Sequence, residues 1–426
     1  MSGEDDDGKR SRWREVDELI EIGRRATSVV RRDGLRVAAA ELAARGSATV
    51  LEAAQPFRIS ARRQDLLAPI TMERPRAQTA TTPSNGPLTL NWVTNPLTEP
   101  SGGMSTILQA LALLEARGHT CRIYVLYKGT RRRIDQDRAA CRSRFPNLQA
   151  EIADVDDGMA PADGIVATAW PTVYTVRAAP TEGVRFYFVC DFEPWFYPAG
   201  SDATLAEATY RFGLHGITLG PWLSQKLSRD YGMACDHFEF GVDLECYHPG
   251  PERERAGVVF YARPSTPRRG FEIGMMALEV FARRHPNVEI HTVGQTLRWR
   301  RPTFRYTDHG VLPPEGLAEL YRRCTAGLVL SMSNLSLMPA EQLACGLIPV
   351  MNDAEFTRAS CDDRFARFAL PTPEALAEAL GEVVDHDPGA EVRKAAAASV
   401  ASFSWAQVGD QLEAAVRRGL ELAVQR

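Results

Sequence analysis

From residue 88 onward, short apolar runs alternate with longer amphipathic stretches. Runs at 88–94, 121–127, 164–168, 184–190 and 216–219 are nearly continuous in hydrophobic residues. That is the signature of strands buried on both faces of a parallel sheet. Between them, 3.6-residue periodicity predicts helices over 104–117, closed by Gly118, and over about 201–212 and 221–231. A segment with glycine and proline punctuation, Phe238 to Pro249, reads as a crossover, and a second series follows. Its predicted strands are 257–262, 288–293, 304–312, 326–330 and 347–350. Its helices run up to Arg284 and then over 314–323, 373–385 and 390–401, with Ser404-Trp405 opening a last one. Two such series predict an α/β protein with two doubly wound, Rossmann-like domains facing each other across a cleft.

The first 87 residues break this rhythm. Residues 1–12 are charged, and helical periodicity runs from Trp13 to about Ala44, with Gly34 and Gly46 as breaks. Residues 71–87 have a linker's composition. Lys9 to Arg45 carries ten Lys/Arg against six Asp/Glu. That balance permits docking on an anionic membrane face, while a solvated helical extension packed on its own protein is the plainer expectation. The expected division is 1–87 helical extension and linker, 88–245 first domain, 246–404 second domain and 405–426 a final helix.

Composition narrows the function classes. A net charge of −4 argues against a general nucleic-acid binder. No apolar run is long enough to span a bilayer, the acidic start does not resemble a signal peptide, and the eight cysteines contain no Cys-x-x-Cys pair. A cytoplasmic chain with reduced thiols is expected. Cys235-Asp-His237 and Cys246-Tyr-His248 lack the spacing of a zinc module and are read as coincidence.

Candidate chemistry concentrates at Ser331–Met351. A strand over 326–330 should run into a helix with Ser336 as N-cap, Pro339 in its first turn and Gly346 closing it. A helix start at the carboxyl end of a parallel strand suits an anion. Glu341, a turn further on, is either a surface glutamate or a carboxylate able to accept hydrogen bonds from a diol such as ribose. Ser101-Gly102-Gly103 opens a helix in the first domain, and the glycines would let backbone approach an anion. No Gly-x-Gly-x-x-Gly is present, so the dinucleotide fingerprint is absent. Arg263 and Arg268 follow a predicted strand, where guanidinium forks suit a diphosphate. Asp191-Phe-Glu-Pro-Trp-Phe-Tyr-Pro198 places two acids and four aromatics directly after a strand. It reads either as a carbohydrate-facing loop or as an aromatic packing corner. Asp154-Val-Asp-Asp157 is taken as an exposed acidic turn that follows no strand, and His119 as a turn residue.

With these residues in place, the chain from about Leu88 onward resembles the retaining glycosyltransferases of family 4. It is most similar to their bacterial rhamnosyltransferase branch of WsaF type. The resemblance rests on Ser101-Gly-Gly103, Arg117-Gly-His119, Phe240-Gly-Val-Asp243, and Arg263 with Arg268. It implies the GT-B fold, with an acceptor domain at 88–245 and a donor domain at 246–404. The arginine pair would grip the donor diphosphate. The family's Glu-x7-Glu signature falls on Ser333 and Glu341, so Glu341 should bind the donor ribose. Asn334, Leu335, Ser336 and Leu337 should line diphosphate and sugar. Serine at 333, where the family's first glutamate contacts the sugar, favours a deoxyhexose donor such as dTDP-L-rhamnose over glucose- or mannose-type donors. Asp191 or Glu193 would position the acceptor or act as base, and Gly102 and Gly103 would border the donor. The implied reaction is metal-independent transfer from a dTDP- or UDP-sugar to a glycan or lipid-linked glycan, with retention. It needs no cofactor, and the enzyme would be cytoplasmic or peripheral on the inner membrane face. A nucleotide-sugar 2-epimerase and a non-catalytic nucleotide-sugar-binding scaffold are the alternatives.

Overall fold

The computed structural model describes residues 59–68, 86–98, 102–128, 132–297, 303–359, 361 and 364–425. The expected N-terminal helix at 13–44, the linker at 71–85 and Ser101 lie outside the described residues.

The unit Ser60–Arg426 contains two sheets. The first has seven strands: β1 (Thr89–Thr94), β2 (Thr120–Val125), β3 (Glu151–Asp154), β4 (Gly164–Ala167), β5 (Val184–Val189), β6 (His215–Leu219) and β7 (Cys235–Phe238). All its pairings are parallel, in the order β3-β2-β1-β4-β5-β6-β7. Alternate side chains serve opposite layers. Trp92 packs in the cluster with Leu108 and Leu111 of the helix Gly102–Ala116, while Val93 joins Val173, Val176 and Leu223 on the other face. Helices on both faces are what near-continuous burial along these strands demands.

The second sheet has six strands: β8 (Val258–Ala262), β9 (Ile290–Gly294), β10 (Thr307–Asp308), β11 (Ala326–Val329), β12 (Ile348–Asn352) and β13 (Arg367–Ala369). These are again all parallel, in the order β10-β9-β8-β11-β12-β13. Strand order reverses between β1 and β4 in one sheet and between β8 and β11 in the other.

Three strands, β3, β7 and β13, the helices Ile134–Arg144 and Trp170–Ala178, and the single helical turns Arg63–Leu66 and Glu355–Arg358 escape the sequence pattern. Each is short or polar: Glu151-Ile-Ala-Asp154 and Cys235-Asp-His-Phe238 alternate charge with apolarity, and the helix Ile134–Arg144 buries only Asp137 and Cys141. The expected strand over 304–312 shrinks to two residues. Asp154 is the end of β3 and is buried, not part of an exposed turn. It accepts a bond from Asp156 N at 2.9 Å and faces Arg132 at 3.0 Å. His119 is likewise more than a turn residue. Buried, it accepts from Leu88 N at 3.0 Å through Nδ1, so Nε2 carries the proton, 3.4 Å from Glu413.

The helix Trp405–Val424 packs on the first sheet and its helix Gly102–Ala116, although it follows the second sheet in sequence. Ser404 caps it through Gln407 N, and Arg117 ties it down through Asp410 at 2.6 Å and Ala406 O at 2.7 Å. The outgoing and returning connections lie side by side: Val242 N donates to Phe403 O at 2.6 Å, and Val242 bridges Ser404. Gly241 fits because a Cβ there would stand 2.4 Å from the Trp405 ring. Gly241→Ala should therefore cost roughly 1–3 kcal/mol through overpacking. Thermal unfolding checks this; an unchanged melting temperature would mean that the two connections separate without cost.

Candidate functional site

The second sheet presents its chemistry at the reversal of strand order. Arg263 leaves β8, and the loop 330–337 leaves the adjacent β11. This loop is braced from beneath. Asn352 accepts from Ser331 N at 2.9 Å and donates to Ser331 O at 2.7 Å, and Met332 N donates to Arg268 O at 2.8 Å. The Ser331 hydroxyl donates to Asn334 O at 2.7 Å. The following helix spans Met338–Ala344, with Pro339 in its first turn and Gly346 at φ +69° behind it, as the sequence predicts. Its N-cap position is Leu337, however, not Ser336. The Ser336 Oγ is buried with no hydrogen bond among the described residues, the chain being already in helical conformation at 337.

Three arginines converge here, one more than the sequence reading singled out. The turn Pro267–Arg269 is 3-10, which sends consecutive side chains in different directions. Arg268 stacks on Phe196 of the first domain, its guanidinium carbon 4.1 Å from the ring centroid. Arg269 turns inward and donates to Ser331 Oγ at 2.8 Å. Arg263 makes one long bond, 3.3 Å to Tyr261 OH. Among the described residues the Nε atoms of Arg263 and Arg268 are buried without a hydrogen bond. Double-arginine sequences are common in surface turns, so Arg268-Arg269 alone gives no hint which of the two is internal.

The first domain contributes Asp191, just beyond β5. Its carboxylate accepts from Asn334 N at 2.7 Å, Ser333 Oγ at 3.0 Å and Phe192 N at 2.8 Å, with Arg268 Nε 3.5 Å away. Asn334 answers through Nδ2, which donates at 3.1 Å to both Cys190 O and Leu219 O, at the ends of β5 and β6. Asp191 and Asn334 thus pin the two domains together at the carboxyl ends of both sheets. Burial raises the Asp191 pKa, against the charges of Arg269 and Arg268 and the bonds from Asn334 and Ser333. Glu193 is buried inside the first domain. It accepts from Trp170 N at 2.8 Å and from Tyr187 OH at 2.6 Å, and burial pushes its pKa up to about 7. Its bonds fasten the start of the helix Trp170–Ala178, and both carboxylate oxygens are taken.

The aromatic segment around these acids is largely a packing corner. Phe192 stacks on Tyr210, Tyr197 receives the Trp170 indole N–H at 3.0 Å, and Phe196 carries Arg268. Trp195 alone of the four is exposed, at 44%, beside Trp222 and Phe356.

Leu335 is buried beside the loop, and Leu337 is half-buried at the helix start. Glu341 stands a turn further on, half-buried, and among the described residues its carboxylate has neither a hydrogen bond nor an ion pair. Burial, then the charge of Asp243, raises its pKa to about 7. An unpartnered carboxylate in that setting calls for a donor from outside the protein. Gly102 and Gly103 are exposed at the start of the helix Gly102–Ala116, and a Cβ at either would meet nothing within 4 Å. The loop before it is held by Asp137, which accepts from Leu97 N and Thr98 N at 2.5 and 3.0 Å.

Two parallel-sheet domains, reversed in strand order at a shared cleft and joined by a double crossover, define the GT-B fold. Anabaena HepE in complex with UDP-glucose has the same architecture, with a TM-score of 0.60 and 14% identity over 77% of this chain and 98% of that one. So does sucrose-phosphate synthase from Thermosynechococcus elongatus, at 0.54 and 13% identity over 79% and 96%. Residues 256–381, the second sheet and its helices, match the family described as WsaF, C-terminal domain. The chain is also similar to the O-antigen biosynthesis protein RfbC of Myxococcus xanthus, 31% identical over 332 residues, or 74% of this chain. It spans about a quarter of that relative's length, 26%.

Proposed function

We propose that this chain is a glycosyltransferase of polysaccharide biosynthesis, moving a sugar from a nucleoside diphosphate to a hydroxyl of a growing glycan. The observation that carries the reading is the placement of Arg263, Arg268, the partnerless Ser336 Oγ and the unpaired Glu341 around one strand reversal. Permanent cations and a hydroxyl suit a diphosphate, and a carboxylate one helical turn away suits the ribose diol. Similarity to the WsaF C-terminal domain and to RfbC supports the same reading. Within it, the donor is dTDP-L-rhamnose, the acceptor is a glycan or lipid-linked glycan, and the anomeric configuration is retained.

The proposed reaction balances on the donor itself. The bond from the sugar's anomeric carbon to the diphosphate oxygen breaks, and the arginines receive the growing negative charge. The acceptor oxygen bonds to the same face, and its proton passes to the departing phosphate. Asp191 and Glu193 need not take that proton, since protein donors already occupy their oxygens.

Incubating the protein with dTDP-L-rhamnose, with and without a rhamnan acceptor, tests the reading. Extension of the acceptor is expected. An isomerised sugar released without acceptor would make the protein an epimerase, and no turnover with any nucleotide sugar would leave a binding scaffold.

Glu341→Gln tests the ribose contact. Calorimetric titration should show weaker binding of both uridine and thymidine diphosphate, with the larger loss for uridine diphosphate, whose ribose offers two hydroxyls. With the wild-type pKa raised to about 7, uridine diphosphate affinity should rise from pH 6 to pH 8 as the carboxylate ionises. The glutamine variant should keep only the smaller rise that comes from the second ionisation of the nucleotide's own terminal phosphate. The nucleotide-free protein should behave in the opposite sense. A carboxylate whose folded pKa is raised contributes stability below its unfolded pKa and loses it as pH climbs through 7. Glu341→Gln should therefore stabilise the free protein at pH 8 relative to wild type, and not at pH 5. Equal nucleotide affinities in both proteins would return Glu341 to a surface role.

A further inference from the structure

We infer that Arg269 is a ligand of the donor's diphosphate, a third arginine arm that the Arg263–Arg268 pair needs for a closed anion cradle. The inference rests on the donor reading above. Arg269 is half-buried beside the loop 331–334, and its one hydrogen bond among the described residues goes to a neutral hydroxyl, Ser331 Oγ, at 2.8 Å. A guanidinium has five N–H donors, so most of this fork is unused. The charges acting on it are Asp191, which attracts, and Arg268 and Arg263, which repel. Asp191 is already committed to Asn334, Ser333 and Phe192. Glu193, the next acid inward, is bound by Trp170 and Tyr187.

Three permanent cations therefore lie close together with one engaged carboxylate and a second one bonded elsewhere. Holding three half-buried cations together with so little compensation is unfavourable by itself. Buried atoms without a hydrogen bond among the described residues point to what supplies the balance: Arg263 Nε, Arg268 Nε (its one ion pair the 3.5 Å contact to Asp191), Ser336 Oγ and Asn334 Oδ1 lie around the same loop. Three of these four are donors, and all three guanidiniums are best matched by a dianionic or trianionic group with several acceptor oxygens. A diphosphate is such a group. In a purely structural role, holding Ser331, a neutral donor would serve as well, since Asn352 already fixes Ser331 through both backbone groups.

The two roles predict opposite behaviour in the ligand-free protein. If Arg269 waits for an anion, Arg269→Met removes a half-buried charge that Asp191 only partly offsets. The free protein should then melt at the same temperature as wild type or higher. The rise in melting temperature caused by inorganic pyrophosphate should largely vanish, and uridine diphosphate affinity should drop at least tenfold. Uridine, which carries no phosphate, should bind both proteins alike. Arg269→Lys keeps the charge but loses the fork and should fall between them; its titration decides the matter if the methionine variant does not fold.

A ligand-free Arg269→Met protein that melts several degrees lower, with pyrophosphate and uridine diphosphate affinities retained, would overturn the inference and make Arg269 a strut for Ser331. Wild-type protein that responds to neither pyrophosphate nor any nucleoside diphosphate would overturn the donor reading together with it.

Discussion

Asp191→Ala should lower turnover at least a hundredfold and destabilise the protein by about 2–5 kcal/mol. The side chain is buried and accepts the Ser333 hydroxyl and the Asn334 amide from the opposite domain. Removing it strands both donors, together with the charge of Arg268 that faces it. Asp191→Asn should recover part of the stability, because one amide oxygen can still accept from Asn334 N. It should recover little of the turnover, since the arginines lose their counter-charge and Ser333 loses an anionic acceptor. Thermal melts and steady-state kinetics on both variants check this. Pyrophosphate binding should survive in each, which separates a displaced loop from a lost anion site. Wild-type melting together with wild-type turnover in Asp191→Ala would show that the interdomain bonds carry nothing.

Arg263→Ala makes a contrasting case, with a large kinetic effect and almost none on stability. Its one hydrogen bond among the described residues is the 3.3 Å contact to Tyr261. A charge-assisted bond to a leaving diphosphate contributes about 1.5–3 kcal/mol, or roughly a ten- to hundredfold change in rate. The loss should fall on kcat more than on nucleotide affinity, because charge on the bridging oxygen grows as the bond breaks. Rapid-quench kinetics alongside a melt would test it. A well-folded variant with unchanged turnover would remove Arg263 from the chemistry.

Much of this arrangement is legible in the sequence, and the unread parts have physical causes. Apolar runs such as Val184–Val189 and Ala326–Val329 announce buried parallel strands, and the helices Pro221–Tyr231 and Pro314–Arg323 occupy the residues their periodicity assigns. Edge strands are hard to read because they are short and polar: Cys235–Phe238 is four residues long and holds Asp236 and His237 at its centre. At the site, residue types were informative and partners were not. Asp191 stands out in the sequence as an acid after a strand among aromatics, yet what it binds is Asn334, 143 positions along the chain. Glu193 looked equivalent two residues later, but the 3-10 turn Glu193–Phe196 rotates it into the interior of its own domain. Arg269 was hidden by its neighbour, since only the turn decides which of two adjacent arginines faces in.

The return of Trp405–Val424 to the first sheet has a consequence for biosynthesis. That helix covers a face of β5, β6 and β7 built from residues that leave the ribosome long before it does. Between Val242 and Ser404 lie about 160 residues, which at 5–20 residues per second means a wait of roughly ten to thirty seconds. Throughout that interval the apolar surface around Phe186 and Ile217 has no permanent cover, and an intermediate with an open flank is ready to meet a chaperone or another nascent chain. The second domain, by contrast, can close its own core while still tethered. Order of emergence and order of completion are thus reversed, and the domain made first is finished last.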